Sequence, residues 1–233
     1  MIPIAITEAA YNAVAAIVMH VSRLLTGFVI AILLSASSAF AGASEDCAAA
    51  AVNVYGQQDY AKALRLCRPL AEQGDAKAQY ALGFMYTNGE GVQEDHTAAA
   101  LWYRQAANQG YAVAQSTLGF MYNFGRGVPQ DYAEAEKWYR KAAEQGDAFG
   151  QSYLGFMYEL GDGLPRNYVF AHMWFSLAAA HSHADFADYG NMADIMYEAA
   201  KSNAEMRDRL ANKMTPEQIA EAQRFAREWK PTK

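Results

Sequence analysis

The pentapeptide LGFMY occurs three times in this chain, at Leu82–Tyr86, Leu118–Tyr122 and Leu154–Tyr158, with one copy every 36 residues. The similarity extends beyond the pentapeptide, and it aligns residues 75–110, 111–146 and 147–182 without gaps. Residues 59–74 match the second half of a unit. Because a unit of this length cannot bury its apolar face alone, the chain is predicted to fold as a stack of similar units.

Each unit is predicted to contain two helices joined by a Gly-x-Gly loop. The first helix ends near a glycine that permits positive φ, and the second begins at a favourable N-cap residue. Asp131 and Glu134 also resemble a capping box. A phosphate-binding interpretation of the loops is disfavoured because no strand precedes them and no GK[ST] follows. The glycines are Gly89, Gly125 and Gly161, and the N-cap residues are Asp95, Asp131 and Asn167.

The composition supports an all-α fold. Alanine, methionine and tyrosine supply much of the apolar content, and β-branched residues are sparse after the N-terminal segment. The formal net charge is −6, from 19 basic and 25 acidic residues. Since the chain has no long cluster of lysine and arginine, nucleic acid is not expected as a partner.

One tryptophan recurs in the second helix of each unit. Trp102, Trp138 and Trp174 stand near recurring alanines, which allow helices to approach closely. We expect these indoles to fill the space between stacked hairpins, although a ligand-binding aromatic box is the alternative interpretation.

The repeated pattern A-x-A-Q-x-x-L-G-x-M-Y-x-x-G-x-G-V-x-x-D-x-x-x-A-x-x-W-Y-x-x-A-A-x-x-G resembles the Sel-one-like repeat, a branch of the tetratricopeptide superfamily, over about residues 47–182. The resemblance implies a right-handed solenoid of helix hairpins. It also implies a non-enzymatic adaptor, often of the bacterial exported type, that holds another protein. Residues 42–74 are then a first partial repeat, and residues 183–233 are C-terminal capping helices. One capping helix is predicted to begin at Thr215, with Pro216 and Gln218 in its first turn.

Residues 1–41 are predicted to be a signal peptide, with Met19 as the true start. Arg23 precedes an apolar segment, and Ala39 and Ala41 fit a cleavage site before Gly42. A retained membrane anchor is the alternative, although the apolar segment is short for a span. The mature protein is therefore expected in the periplasm or secreted, with no stable membrane insertion.

The two cysteines lie on either side of the first predicted turn, which is near residues 56–59. Cys47 and Cys67 are equally far from that turn, so they would face each other across an antiparallel hairpin. Export makes a disulfide chemically possible. The alternative is two buried free thiols.

A helical wheel separates two faces of each first helix. With Leu82 at 0°, Phe84 falls at about 200°, away from the face that carries the recurring leucine and tyrosine. In solenoids of this superfamily the first helices line the concave surface, and an apolar stripe there indicates an interaction site. Alternatively, these rings pack on each other or on the long terminal helix. The predicted partner-binding residues are Tyr80, Phe84, Phe120, Phe124, Phe149, Tyr153 and Phe156.

No familiar catalytic or metal-binding motif occurs in the chain, and no cofactor is predicted. His181, His183, Asp185 and Asp188 lie close in sequence, but a polar helix junction explains them better than a metal site. The sequence favours a monomeric scaffold that binds a protein or peptide in its groove. The alternative is a protein that binds or hydrolyses the cell wall, since aromatic rings also stack on sugars.

Overall fold

In a computed structural model of the protein, the described residues are Cys47, 60–181 and 193–232, and they belong to one compact unit spanning Cys47–Lys233. The side chains of residues 193–200 are not described, and the predicted signal peptide lies outside the described residues. Within the described part, the regular structure consists of α-helices. They are α1 (Tyr60–Glu72), α2 (Ala76–Asn88), α3 (His96–Asn108), α4 (Ala112–Phe124), α5 (Tyr132–Glu144), α6 (Ala148–Leu160), α7 (Tyr168–His181), α8 (Ala193–Ala211) and α9 (Pro216–Glu228).

The helices pack in sequence order as hairpins, and the predicted all-α repeat solenoid is confirmed. Helices α2 and α3, α4 and α5, and α6 and α7 form the three full hairpins, and α1 packs against α2. Each first helix ends at the expected glycine, with φ of 70° at Gly89, 66° at Gly125 and 85° at Gly161. A side chain with a Cβ would be strained at these left-handed positions, which explains why glycine recurs there.

Side-chain caps fix where each second helix begins. Asp95 accepts hydrogen bonds from the backbone N–H groups of Thr97 and Ala98, and Asp131 caps α5 in the same way. Asn167 caps α7 through Val169 and Phe170. The predicted N-cap positions are therefore confirmed. The carboxylate of Glu134 pairs with Lys137, 3.0 Å away.

The glycine of LGFMY is the contact point between the two helices of a hairpin. A Cβ at Gly83 would lie 2.8 Å from the ring of Tyr103, and a Cβ at Gly119 would lie 2.8 Å from Tyr139. In the third hairpin Phe175 occupies the same place over Gly155. Because Tyr103, Tyr139 and Phe175 are almost fully buried, a larger residue at the glycine would displace a core ring.

A buried glutamine joins each hairpin to the one before it. The side-chain amide of Gln115 donates to the carbonyl of Ala107 over 3.1 Å, and its oxygen accepts from Gln145 over 2.7 Å. Gln79 makes the equivalent contacts with Ala71 and Gln109. The bonds to Ala71 and Ala107 satisfy backbone carbonyls near the C-terminal end of the preceding helix. Such carbonyls need a partner when the end of a helix is buried.

The recurring tryptophans are not equivalent. Trp138 and Trp174 are 6% and 5% exposed, as expected for core residues, whereas Trp102 is only half-buried. Trp138 packs against the small side chains of Ala106 and Ala107 and against Leu118. The tryptophan position is therefore part of the core in the second and third repeats but not fully in the first.

The third repeat is covered by the two C-terminal helices. Glu159 of α6 is buried, and its carboxylate contacts Arg209 at 2.9 Å and Lys213 at 3.5 Å, both beyond the repeats. Ser152 donates a hydrogen bond to Asn203 of α8 over 2.7 Å. Helix α9 packs on α7, and it begins with the predicted capping box of Thr215 and Gln218. These helices close the end of the stack, as a terminal unit must.

Of the four residues considered as metal ligands, His181 lies in the described part of the chain, at the end of α7. His181 pairs through Nδ1 with Gln151 over 2.9 Å, and its ring contacts Trp229. His183, Asp185 and Asp188 lie outside the described residues. Among the residues that the structure describes, no group of three histidine, cysteine or acidic side chains is placed to hold a metal ion. In that same part of the chain, no helix is both long enough and apolar enough to cross a membrane.

Candidate interaction surface

Four aromatic side chains form one cluster on neighbouring first helices, and we call it the aromatic patch. Phe120 and Phe124 come from α4, and Phe149 and Tyr153 come from α6. The ring centroids of Phe120 and Phe124 are 4.5 Å apart, and those of Phe149 and Tyr153 are 4.7 Å apart. Tyr153 lies 5.8 Å from Phe120 and so connects the two helices. The patch is continuous across the junction of the second and third repeats.

Two of these rings are largely open to solvent. Phe124 is 51% exposed and Phe149 is 45% exposed, whereas Phe120 and Tyr153 are half-buried. Isolated exposed apolar residues need no explanation, but contiguous ones are uncommon on monomers and indicate a contact surface.

Tyr153 connects the aromatic patch to the hairpin core. Its ring stacks on Tyr139, with a centroid distance of 5.0 Å and an interplanar angle of 12°. Burial raises the pKa of Tyr153, and the positive charge of Arg126 opposes that rise. The hydroxyl therefore stays protonated at neutral pH and remains a hydrogen-bond donor. It makes no hydrogen bond to any residue that the structure describes.

An arginine lies at the edge of the aromatic patch. The guanidinium of Arg126 is 5.4 Å from the ring centroid of Phe120, within the range of a cation–π contact. Arg126 is exposed, and it forms no ion pair with a carboxylate in the described part of the chain. Sequence reasoning missed this residue because it treated the Gly-x-Gly loops only as turns. The available signal was the middle residue of the loop, which is Glu90, Arg126 or Asp162.

The other three predicted partner-binding residues lie in different environments. Tyr80 is half-buried between Tyr103 and Tyr111, with ring distances of 5.4 and 5.5 Å. Phe84 is half-buried on α2. Phe156 makes an edge contact with Phe175 at 5.0 Å and packs on the core cluster that includes Leu210 of α8. Phe156 also lies 6.0 Å from Tyr153, but it packs against α8, as the alternative prediction expected, and we define the aromatic patch without it.

The cysteine pair lies at the other end of the repeats. Cys47 and Cys67 are placed at disulfide distance, with Cα atoms 5.0 Å apart, and both are fully buried. This arrangement fits the predicted disulfide and is compatible with an exported protein.

Two carboxylates on the repeats make structural contacts. Glu136 binds Arg140 on α5, and Arg140 in turn donates to the hydroxyl of Tyr158 in the next repeat. Glu159 is held by Arg209 and Lys213. These paired carboxylates therefore help to hold neighbouring helices together.

Comparison with known proteins agrees with this architecture. The model of the Sel1 repeat family matches residues 53–75, 76–111, 112–147 and 148–183. The crystal structure of a protective antigen of uropathogenic Escherichia coli with an SLR fold is 34% identical, with a TM-score of 0.57 over 77% of this chain. That match spans only 40% of the length of the E. coli protein.

A Sel1 repeat protein from Oxalobacter formigenes is 33% identical, with a TM-score of 0.50, over 71% of this chain and 68% of that protein. No curated protein matches the chain. The repeated helix hairpins, the four matched segments and these structural relatives together show that the chain belongs to the Sel1 repeat family.

Proposed function

We propose that this protein is a non-enzymatic repeat scaffold that binds a protein or peptide partner through the aromatic patch on its first helices. The observation that carries the proposal is the contiguity of four aromatic rings, two of them about half exposed, on a face that the hairpin packing leaves uncovered. Exposed aromatic side chains supply large apolar contact areas with few rotatable bonds, as binding surfaces require. Sel1 repeats commonly mediate protein interactions, which supports the same function.

The orientation of the rings favours a peptide over a glycan. A sugar ring stacks best on a flat aromatic face that is open to solvent. In the aromatic patch, Phe120 and Phe124 cross at 47°, and Phe120 and Tyr153 cross at 86°. The rings therefore turn edges and faces toward each other, and they form an irregular apolar surface suited to side-chain insertion. Cell-wall binding or hydrolysis remains the second candidate function, and co-sedimentation with peptidoglycan tests it.

The test is a pair of binding measurements on the mature chain, residues 42–233. A random peptide library displayed on phage is selected on the wild-type protein, and co-sedimentation with purified peptidoglycan is measured in parallel. We expect selected peptides whose binding is lost in the Phe124→Ser/Phe149→Ser double variant. Peptidoglycan sedimentation that depends on the same residues would contradict the proposal and favour the cell-wall alternative.

A matched control separates loss of the surface from loss of the fold. Leu101 is 56% exposed on α3, away from the aromatic patch, so Leu101→Ser removes exposed apolar surface without touching the proposed site. It is expected to bind selected peptides as the wild type does. The double variant should unfold at nearly the wild-type temperature, and unfolding of that variant at 25 °C would show that the phenylalanines are needed for folding.

We also propose that the protein works after export to the periplasm or outside the cell. The signal-like segment before Gly42 and the cysteine pair at disulfide distance support this location. Intact-mass measurement of the exported protein is expected to give a chain that begins at Gly42 and contains the Cys47–Cys67 cross-link. A chain that retains residues 20–41, or that has two free thiols after oxidative folding, would contradict it.

A further inference from the structure

We propose that the partner segment carries an acidic side chain next to its apolar anchor, and that Arg126 and the Tyr153 hydroxyl recognise that carboxylate. This inference rests on the function proposed above and specifies the chemistry of the partner. The apolar anchor lies on the exposed rings of Phe124 and Phe149, and the carboxylate reaches the arginine at the edge of the aromatic patch.

Arg126 has hydrogen-bond donors that no carboxylate in the described part of the chain binds. A guanidinium has five N–H donors in a planar fork that matches a carboxylate. The exposed basic residues Lys137 and Arg224 each pair with a nearby acidic residue, Glu134 or Glu228. Arg126 pairs with none in the described part of the chain, and its guanidinium is held against the Phe120 ring. The cation is therefore positioned at the aromatic patch and free to accept an anionic partner.

The hydroxyl of Tyr153 is a second donor at the aromatic patch. This group lies within electrostatic reach of Arg126 and has no hydrogen-bond partner among the described residues. The same tyrosine contacts Phe120, Phe124 and Phe149, so its donor belongs to the aromatic patch. Two unpaired donors beside one apolar surface are complementary to a ligand that combines an apolar group with an acceptor anion.

Of the three Gly-x-Gly loops, only the one between the second repeat's two helices has a basic middle residue, Arg126. The equivalent loop positions of the neighbouring repeats carry Glu90 and Asp162, and the chain as a whole has a formal charge of −6. Burial raises the pKa of the Glu90 carboxyl, and its interaction with Tyr60 opposes that rise. Among the three Gly-x-Gly loops, an acidic segment would meet the opposite charge at Arg126 and like charges at the middle residues of the other two. The charge pattern therefore fixes the position of such a segment on the first helices.

The aromatic patch and Arg126 are expected to contribute differently to binding. An exposed ion pair contributes little to affinity, whereas an aromatic anchor buried on binding contributes several times more. Affinity thus depends mainly on the aromatic patch. Arg126 determines which apolar peptides are chosen and how their binding responds to salt.

The experiment compares peptide selections on two proteins. The displayed library is selected on wild-type residues 42–233 and, separately, on the Arg126→Glu variant. We expect wild-type peptides to be enriched in aspartate or glutamate beside an aromatic or aliphatic residue, and peptides selected on Arg126→Glu to lose that enrichment. Wild-type peptides without acidic enrichment would overturn the inference but leave the proposed function intact. Failure to select any peptide that needs Phe124 and Phe149 would overturn both.

Binding of one selected peptide, fluorescein-labelled, then measures the size of the effect. Arg126→Glu is expected to weaken binding about tenfold at 0.05 M salt and less at 0.5 M salt, because the interaction is electrostatic. Tyr153→Phe keeps the ring and is expected to weaken binding by a smaller factor. The matched control is Arg227→Glu, which makes the same charge change at an exposed site on α9. Equal weakening by both charge variants would show a general effect of net charge and would overturn the specific role of Arg126.

Discussion

The two faces of each first helix differ in how strongly packing constrains their residues. On the face that meets the second helix, the three repeats are nearly identical, because Gly83, Gly119 and Gly155 each receive one buried aromatic ring. On the opposite face, Asn88 of the first repeat is replaced by Phe124 in the second. The first face holds the hairpin together, so its residues are constrained by packing. The second face is free of that constraint and can differ between repeats, which is where we expect binding specificity.

The largest loss of stability is expected from a substitution in the core. Trp138→Ala should lower the free energy of unfolding by roughly 3–5 kcal/mol, because it leaves a cavity between stacked hairpins. Urea denaturation followed by circular dichroism measures the loss. Trp102→Ala is the matched control, and it should lose clearly less, since Trp102 is only half-buried. Equal losses of stability in the two variants would show that the deeper burial of Trp138 does not make it more important for folding than Trp102.

A smaller loss of stability is expected from a substitution on the face of α4 that packs against α5. Gly119→Ala places a Cβ 2.8 Å from the Tyr139 ring, and Tyr139 is fully buried. Overpacking of this kind destabilises by about 1–3 kcal/mol, against about 1 kcal/mol gained from the better helix propensity of alanine. We therefore expect a net loss of stability. The same substitution should be less harmful in a Tyr139→Leu background, and a stabilised Gly119→Ala single variant would contradict the packing argument.

The smallest stability effect is expected on the opposite face of the same helix. Phe124→Ser should change the free energy of unfolding by no more than about 0.5 kcal/mol, because the ring is 51% exposed. Thermal and urea unfolding should nearly superimpose on the wild type. A loss as large as that of Gly119→Ala would mean that the aromatic patch supports the fold and would remove the distinction between the two faces.

Most of the fold was predictable because its signals are local and repeated. The N-cap roles of Asp95 and Asn167 and the glycine ends of the first helices depend on a few adjacent residues. The capping box at Thr215 is equally local. Three aligned copies made each signal visible against the variable positions, so the hairpin architecture was predicted correctly.

The candidate site was predictable only in part. A helical wheel places Phe120 of α4 and Phe156 of α6 at the same angle, away from the face that carries the recurring leucine. It does not show that Phe156 contacts Phe175 and a cluster containing Leu210, because α8 approaches from outside the repeat. It also gives no reason to place Arg126 against Phe120, since a loop residue has no position on a wheel.

The sequence by itself determined that this protein is a stack of helix hairpins, where each hairpin turns and which glycines end the first helices. Those features follow from backbone geometry and helix periodicity, which act over a few residues. Only the tertiary structure decided which of the aromatic residues on the first helices are covered and which are exposed. Exposure depends on which other elements pack over a side chain. Here α8 packs against Phe156, whereas Phe124 and Phe149 are only partly covered, and neither arrangement is encoded within the repeat itself.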